Sequence, residues 1–265
     1  MSAAGGFWIV GCGHMGGAML AGWIASGMDP REFLVVDPAA PNLPEGVVVT
    51  PEAPDGPIPH SILLGIKPQL LDAVAPAIAR VPVAGTRLYS ILAGVEIAAL
   101  RARFPQAGEI VRVMPNLPAA LGMGVLALHG ETVDREGVTA LMARLGLAEW
   151  IGDEALFDAV TALSGSGPAF VYRFIDALAS AGADLGLPAD QALRFATAMV
   201  GGAAAIAGSD AAPPAALAAR VTSKGGTTAA GLSVLDRDDA LARLVAATLA
   251  AAAARSRELA EAARD

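Results

Sequence analysis

Phe7-Trp8-Ile9-Val10-Gly11-Cys12-Gly13-His14-Met15-Gly16 joins a short apolar run to a turn with glycine at its first, third and sixth positions. An apolar pattern of helical period follows through Met19, Leu20, Trp23 and Ile24 and stops at Gly27. A second apolar run, Phe33 to Val36, ends in Asp37, an acid about 20 residues beyond the last glycine of the turn. Strand, glycine turn, helix, strand and acid in that order predict a dinucleotide-binding unit. Gly11 is expected to make the turn, Gly13 to let a pyrophosphate approach the backbone, and Gly16 to allow close helix packing. Cys12, His14 and Met15 lie on the same cofactor-binding turn.

Asp37 bears on which dinucleotide binds. A carboxylate at this strand end accepts hydrogen bonds from a ribose 2′-OH and repels a 2′-phosphate, which favours NADH over NADPH. The alternative is that Asp37 simply ends the strand, with Pro38 forcing the chain out of it.

Working outward, Val47 to Val49, Ile62 to Ile66, Arg87 to Ile91 and Ile110 to Val113 read as further strands. Helical segments separate most of them, at Gln69 to Ala79 and Glu96 to Arg103. Such alternation predicts a parallel sheet with the loops at its carboxyl ends facing one crevice. Ile66-Lys67-Pro68, Ser90 to Gly94 (with Ala93) and Asn116 fall in those loops. Asn116 is placed to hydrogen-bond cofactor or substrate. Lys67 reads either as a partner for the cofactor's negative charge or as a surface charge at a strand end. Gly122 to Leu128, a helix from Arg135 to Arg144, and Ala148 to Ile151 complete the sheet, so the α/β dinucleotide-binding domain is drawn over 1–152.

From 153 to 265 the pattern is all-helical. Glu154 to Leu163 and Ala169 to Leu185 flank a break at Ser164-Gly165-Ser166-Gly167-Pro168. Helices follow from Pro188 to Ala207, Ala215 to Val221 and Asp236 to Ala263. Small residues dominate them, as in Gly201-Gly202-Ala203-Ala204-Ala205 and Ala246 to Ala254. Helices of that kind bury little area each, and burial against a second copy of the chain would hold them. This domain is expected to form a homodimer.

Val221-Thr222-Ser223-Lys224-Gly225-Gly226-Thr227-Thr228 precedes another helical run through Leu232 and Leu235. Glycines bring the backbone close to a ligand, first-turn N–H groups lack internal partners, and hydroxyls add donors. A small carboxylate fits that chemistry, as does an ordinary capped helix.

Composition narrows the classes. A net charge of −8 without a basic cluster argues against nucleic acid. No uninterrupted apolar run reaches the ~20 residues of a membrane span, and the stretch from Met1 to Gly6 lacks the basic region of a signal peptide. The single cysteine, Cys12, excludes an internal disulfide and fits a reducing cytoplasm. His14, His60 and His129 are too scattered to suggest a metal site.

Together these segments resemble the pyrroline-5-carboxylate reductase family, from Phe7 to beyond Asp236. The carriers are Gly11 to Gly16, Ile66-Lys67-Pro68, Ser90-Ile91-Leu92-Ala93-Gly94, Arg112-Val113-Met114-Pro115-Asn116, and Asp158-Ala159-Val160-Thr161 running into Ser164-Gly165-Ser166-Gly167-Pro168-Ala169. The resemblance implies a Rossmann-like domain for NADPH or NADH and an all-α substrate and dimerisation domain. It further implies homodimers assembled into decameric rings, and reduction of 1-pyrroline-5-carboxylate to proline. It implies that Thr228 bonds the ring nitrogen and that the backbone from Gly226 through Thr227 to Thr228, with Ser223, holds the carboxylate. Glu154 is implied near the ligands. Three positions depart from the family's habit: Lys224 for proline, Ala53 for asparagine, and Asp37 where NADPH users carry a residue better suited to a 2′-phosphate.

Two other readings stay open. A β-hydroxyacid dehydrogenase shares the glycine turn, but it needs a lysine in the first long helix after the sheet, and Ala155 to Leu187 contains none. A non-catalytic nicotinamide-binding regulator would keep the fold without the chemistry.

Overall fold

The computed structural model describes residues 6–39, 43–55, 58–81 and 85–262. The stretch 1–5 and the C-terminal end of the last predicted helix, at Ala263, lie outside the described residues. The chain divides into two compact units: residues 1–166 together with 252–265, and residues 167–251.

The first unit is built on an eight-stranded sheet. In chain order the strands are β1 (Phe7–Val10), β2 (Phe33–Val36), β3 (Val48–Thr50), β4 (Ser61–Leu64), β5 (Arg87–Ser90), β6 (Glu109–Met114), β7 (Gly124–Glu131) and β8 (Gly146–Trp150). Their spatial order is β3-β2-β1-β4-β5-β6-β7-β8, so the winding reverses between β1 and β4. Ligands of open α/β sheets bind outside the strand carboxyl ends at that reversal.

Alternation along the strands sorts the core. Phe7, Ile9, Phe33, Val35, Leu63 and Tyr89 face one side of the sheet, against α1 (His14–Ala25) and α4 (Arg135–Ala143). Trp8, Val10, Ile62, Leu64 and Leu88 face the other, against α2 (Leu71–Ala79) and α3 (Ile97–Arg103). Both faces are covered, which is why these strands read as unbroken apolar runs. Trp23 of α1 packs on Phe7 with ring centroids 5.1 Å apart, and its indole N–H donates to the Leu141 carbonyl at 3.1 Å.

The expected parallel sheet holds from β3 through β6. β7, however, pairs with β6 antiparallel, with Arg112 opposite His129, and β8 runs parallel to β7. Only residues 115–123 join β6 to β7, as a 3₁₀ segment at Leu117–Leu121 closed by Gly122 at φ 67°. A link that short cannot make a crossover, so the chain turns back.

Beyond β8, the segment drawn as one helix from Glu154 is three pieces. A 3₁₀ turn at Glu154–Leu156 leads into α5 (Phe157–Val160), then a π turn over Thr161–Gly165. The Ser166 N–H reaches the Thr161 carbonyl at 2.8 Å, the long step that defines the π turn. α6 (Gly167–Asp184), α7 (Ala189–Ser209), α8 (Pro214–Arg220), α9 (Thr227–Leu235) and α10 (Ala240–Ala262) follow. The last predicted helix does not start at Asp236: Asp238 and Asp239 take left-handed φ of 52° and 55°, and α10 begins after them.

Within the 167–251 unit the helices carry exposed Val171, Tyr172, Phe174, Phe195, Met199 and Leu244. By length and composition α7 could cross a membrane, and 11% of its apolar window is buried within the chain. An apolar surface this extensive marks an association face. Sedimentation at micromolar concentration is expected to give the mass of two chains; a purely monomeric boundary would refute self-association.

At the amino end of β6, Glu109 accepts hydrogen bonds from the Thr132 hydroxyl at 2.7 Å, the Val133 N–H at 3.2 Å and the Arg87 guanidinium. Burial raises its carboxyl pKa, but these bonds outweigh burial and hold it below its ordinary value. A carboxyl lowered in the folded state stabilises the fold above its unfolded pKa and loses that contribution as pH falls through the folded value. Glu109→Gln should therefore lose less stability than the wild type between pH 7 and pH 3, read from urea midpoints; an equal loss would remove Glu109 from the acid response.

Candidate active site

The glycine turn is packed at backbone distance on several sides. Gly11 sits at φ 83°, and a Cβ there would lie 2.8 Å from the Ile66 nitrogen; at Gly16 it would lie 2.8 Å from the Gly11 oxygen. Gly65, at the end of β4, is pressed the same way, its Cβ position 2.5 Å from the Gly11 oxygen. Around Gly13 there is open space instead, with nothing within 4 Å of where a Cβ would stand. Thus Gly11, Gly16 and Gly65 serve packing, while Gly13 leaves the cradle open to a ligand at the start of α1. That start has no side-chain cap, so its first N–H groups are available to an anion. The turn fits the pyrophosphate of a dinucleotide.

Asp37 has a role that the sequence alone did not reveal. Its Oδ2 accepts the Cys12 N–H at 2.8 Å and its Oδ1 accepts the Ala39 N–H at 2.9 Å. The carboxylate thereby fastens the glycine turn to the end of β2. Each oxygen keeps a second lone-pair direction for a ligand. Cys12 contributes its N–H to this bond, while burial and then the Asp37 charge push its thiol pKa up to about 11. Met15 is half-buried and His14 is exposed at the first position of α1.

A cavity of about 840 Å³ opens beside the turn, at the carboxyl ends of β1, β2 and β4. Gly13, Asp37, Ala53, Ile66 and Lys67 line it. Lys67 is exposed there, and Pro68 begins the 3₁₀ turn that leads into α2. Glu52 and Asp55 also reach the cavity, two acids that the sequence reading passed over because β3 and its loop carry no motif. Gly65 was missed as well; a glycine ending a buried strand is the signal for a close backbone approach.

Asn116 is buried and divides its side chain between two main-chain groups. Its Oδ1 accepts the Val125 N–H at 2.9 Å, and its Nδ2 donates to the Ser164 carbonyl at 3.0 Å. Pro168, four residues on, has no N–H to offer that carbonyl. Glu154 is tied in the same region: its Oε1 accepts the Ile97 N–H at 2.9 Å and pairs with Arg112 at 2.6 Å. Arg112 is buried and stacks over Phe157, 4.5 Å from the ring centroid. Arg112 stood inside a quoted motif without an assigned role, since a buried ion pair between residues so far apart leaves no local signature. Ala93 is exposed in the loop after β5. Among the described residues no three histidine, cysteine or acidic side chains cluster as metal ligands.

In the helical unit, Gly226 N–H donates to the Ser223 carbonyl at 3.0 Å, and Gly225 at φ 71° takes the third position of that turn. Such a turn favours proline at its second position but accepts other residues, which is how Lys224 replaces proline without disturbing it. A Cβ on Gly226 would stand 2.3 Å from the Ser223 hydroxyl and 3.2 Å from its carbonyl oxygen, so a side chain there would displace the hydroxyl. The first intrahelical bond of α9 runs from the Ala230 N–H to the Gly226 carbonyl at 3.1 Å, and no side chain caps the helix. Because the Gly226 N–H is spent in the turn, the N–H groups of Thr227, Thr228 and Ala229 are the ones left without a helix partner. Ser223, Thr227 and Thr228 are all exposed beside them.

Residues 154–259 match the family model for pyrroline-5-carboxylate reductase dimerisation. The pyrroline-5-carboxylate reductase of Pseudomonas aeruginosa is 36% identical over 262 residues, covering 95% of this chain and 96% of the relative. A solved pyrroline-5-carboxylate reductase from Coxiella burnetii superposes with a TM-score of 0.87 at 29% identity, over 97% of this chain and 99% of that one. A Plasmodium falciparum pyrroline carboxylate reductase solved with NADP bound shares the fold, with a TM-score of 0.81 at 24% identity over 98% of this chain and 99% of that one. Similarity of this extent, across the dinucleotide-binding half and the helical half alike, means that the chain belongs to the pyrroline-5-carboxylate reductase family.

Proposed function

We propose that the chain reduces 1-pyrroline-5-carboxylate to L-proline, the closing step of proline biosynthesis, as a cytoplasmic enzyme. What carries the reading is relatedness over nearly the whole chain to reductases named for this substrate. The dehydrogenase and regulator alternatives gain no comparable support.

The residues divide the task. The N–H groups of Thr227 and Thr228 and the Ser223 hydroxyl, at the uncapped start of α9, hold the substrate carboxylate. Thr228 also places its hydroxyl on the ring nitrogen, which orients the protonated imine. A dihydronicotinamide held by the glycine turn would supply the hydride that the imine carbon accepts as its C=N double bond becomes single and the iminium nitrogen becomes the ring amine. An iminium needs positioning more than a strong acid or base, so no titrating catalyst is required. Gly11 to Gly16 hold the pyrophosphate, Ile66-Lys67-Pro68 and Ala93 border the rest of the cofactor, and Asn116 and Glu154 act as positioning residues that stiffen the surrounding loops. A partner chain completes the substrate pocket. The domain from 153 onward supplies that partner contact; α7 is buried between chains rather than in a membrane, and the dimers assemble into a decamer.

Three acids at the adenosine end, Asp37, Glu52 and Asp55, favour an unphosphorylated ribose. Steady-state kinetics should give kcat/KM at least about tenfold higher with NADH than with NADPH, about 1.4 kcal/mol of discrimination; a preference for NADPH would defeat the role given to Asp37. Thr228→Ala is expected to lower kcat/KM for pyrroline-5-carboxylate by about tenfold or more while the cofactor Kd stays at its wild-type value. Unchanged turnover would take Thr228 out of the mechanism.

A further inference from the structure

We propose that the C-terminal turns of α10 position the loop after β5, and through it the nicotinamide end of the cofactor. The inference rests on the dinucleotide reading of the crevice. α10 runs unbroken from Ala240 to Ala262, yet its residues from 252 onward belong to the compact unit that contains the sheet.

Two contacts tie it there. Gly94, in the loop after β5, sits at φ 75°, and a Cβ on it would lie 2.7 Å from the Ala260 Cα and 3.1 Å from the Ala260 Cβ. The helix backbone therefore rests directly on the loop, and Gly94 has no room for a side chain. Ser256, one turn earlier and on the same helix face, donates its hydroxyl to Asp158 Oδ1 at 2.6 Å. Asp158 belongs to α5, which runs into the π turn whose Ser164 carbonyl is held by Asn116 after β6. One helix face thus touches the β5 loop and the segment bonded to the β6 loop.

These loops lie on the β4–β6 side of the winding reversal, whereas Asp37 lies on the β2 side. A dinucleotide whose adenosine ribose meets Asp37 and whose pyrophosphate crosses the start of α1 must place its other ring over the β4–β6 side. The tail of α10 therefore acts on one end of the cofactor only.

Calorimetric titration separates the two ends, because ADP-ribose carries every part of NADH except the nicotinamide. Ala260→Leu is expected to raise the NADH Kd about tenfold by overpacking against Gly94 while leaving the ADP-ribose Kd within about twofold. Ser256→Ala should move NADH in the same direction by about threefold, and Ser256→Thr, which keeps the hydroxyl, should bind as wild type. If Ala260→Leu does not fold, Ser256→Ala carries the test alone. Equal weakening of both ligands, or no change in either, would overturn the proposal. A wild-type chain that binds neither NADH nor ADP-ribose would instead remove the crevice reading on which it rests.

Discussion

The molecule depends on a backbone turn packed so closely that side chains are excluded from it. Residues 11 and 16 face main-chain atoms at distances that no Cβ tolerates, and residue 65 meets the turn from the neighbouring strand. Such packing brings β1, β4 and the first turn of α1 to one point, and the Asp37 carboxylate closes it by taking the Cys12 N–H. The result is a row of unpartnered helix N–H groups beside an open cavity. An anion-binding cradle follows from that geometry with no cationic side chain on the turn itself.

A second constraint acts farther along the sheet edge. The chain turns back after β6, which leaves a short loop and an irregular helical entry to be fixed in place. Buried polar groups do this work: Asn116 bridges the start of β7 and the π turn, and Arg112 holds Glu154, which in turn caps the start of α3. Each of these groups is satisfied. Removing one would strand its partner without a bond in a buried place, and that penalty exceeds the net worth of the bond itself. The loops after β5 and β6 and the helical entry are thereby tied to one another.

The helical unit follows the opposite logic. Its alanine- and glycine-rich helices leave apolar side chains exposed in a single chain, since small residues permit close approach but bury little area. α9 presents a start with neither a side-chain cap nor a first-turn acid. Both features leave groups without partners inside the described chain, apolar side chains in one case and helix N–H groups in the other.

The sequence by itself determined the doubly wound half and the helical half and pointed to a glycine turn and an uncapped helix start as ligand cradles, because glycine spacing, strand alternation and helix starts are local signals. Gly11, Gly13 and Gly16 carry separable roles that their spacing already implied. Tertiary structure alone decided that β7 runs antiparallel, that Asp37 locks the turn it faces, that Arg112 pairs with Glu154, and that the end of α10 lies on Gly94. Those facts join residues distant along the chain. No periodicity or motif encodes a contact whose energy arises only when two remote segments are brought together and shielded from water.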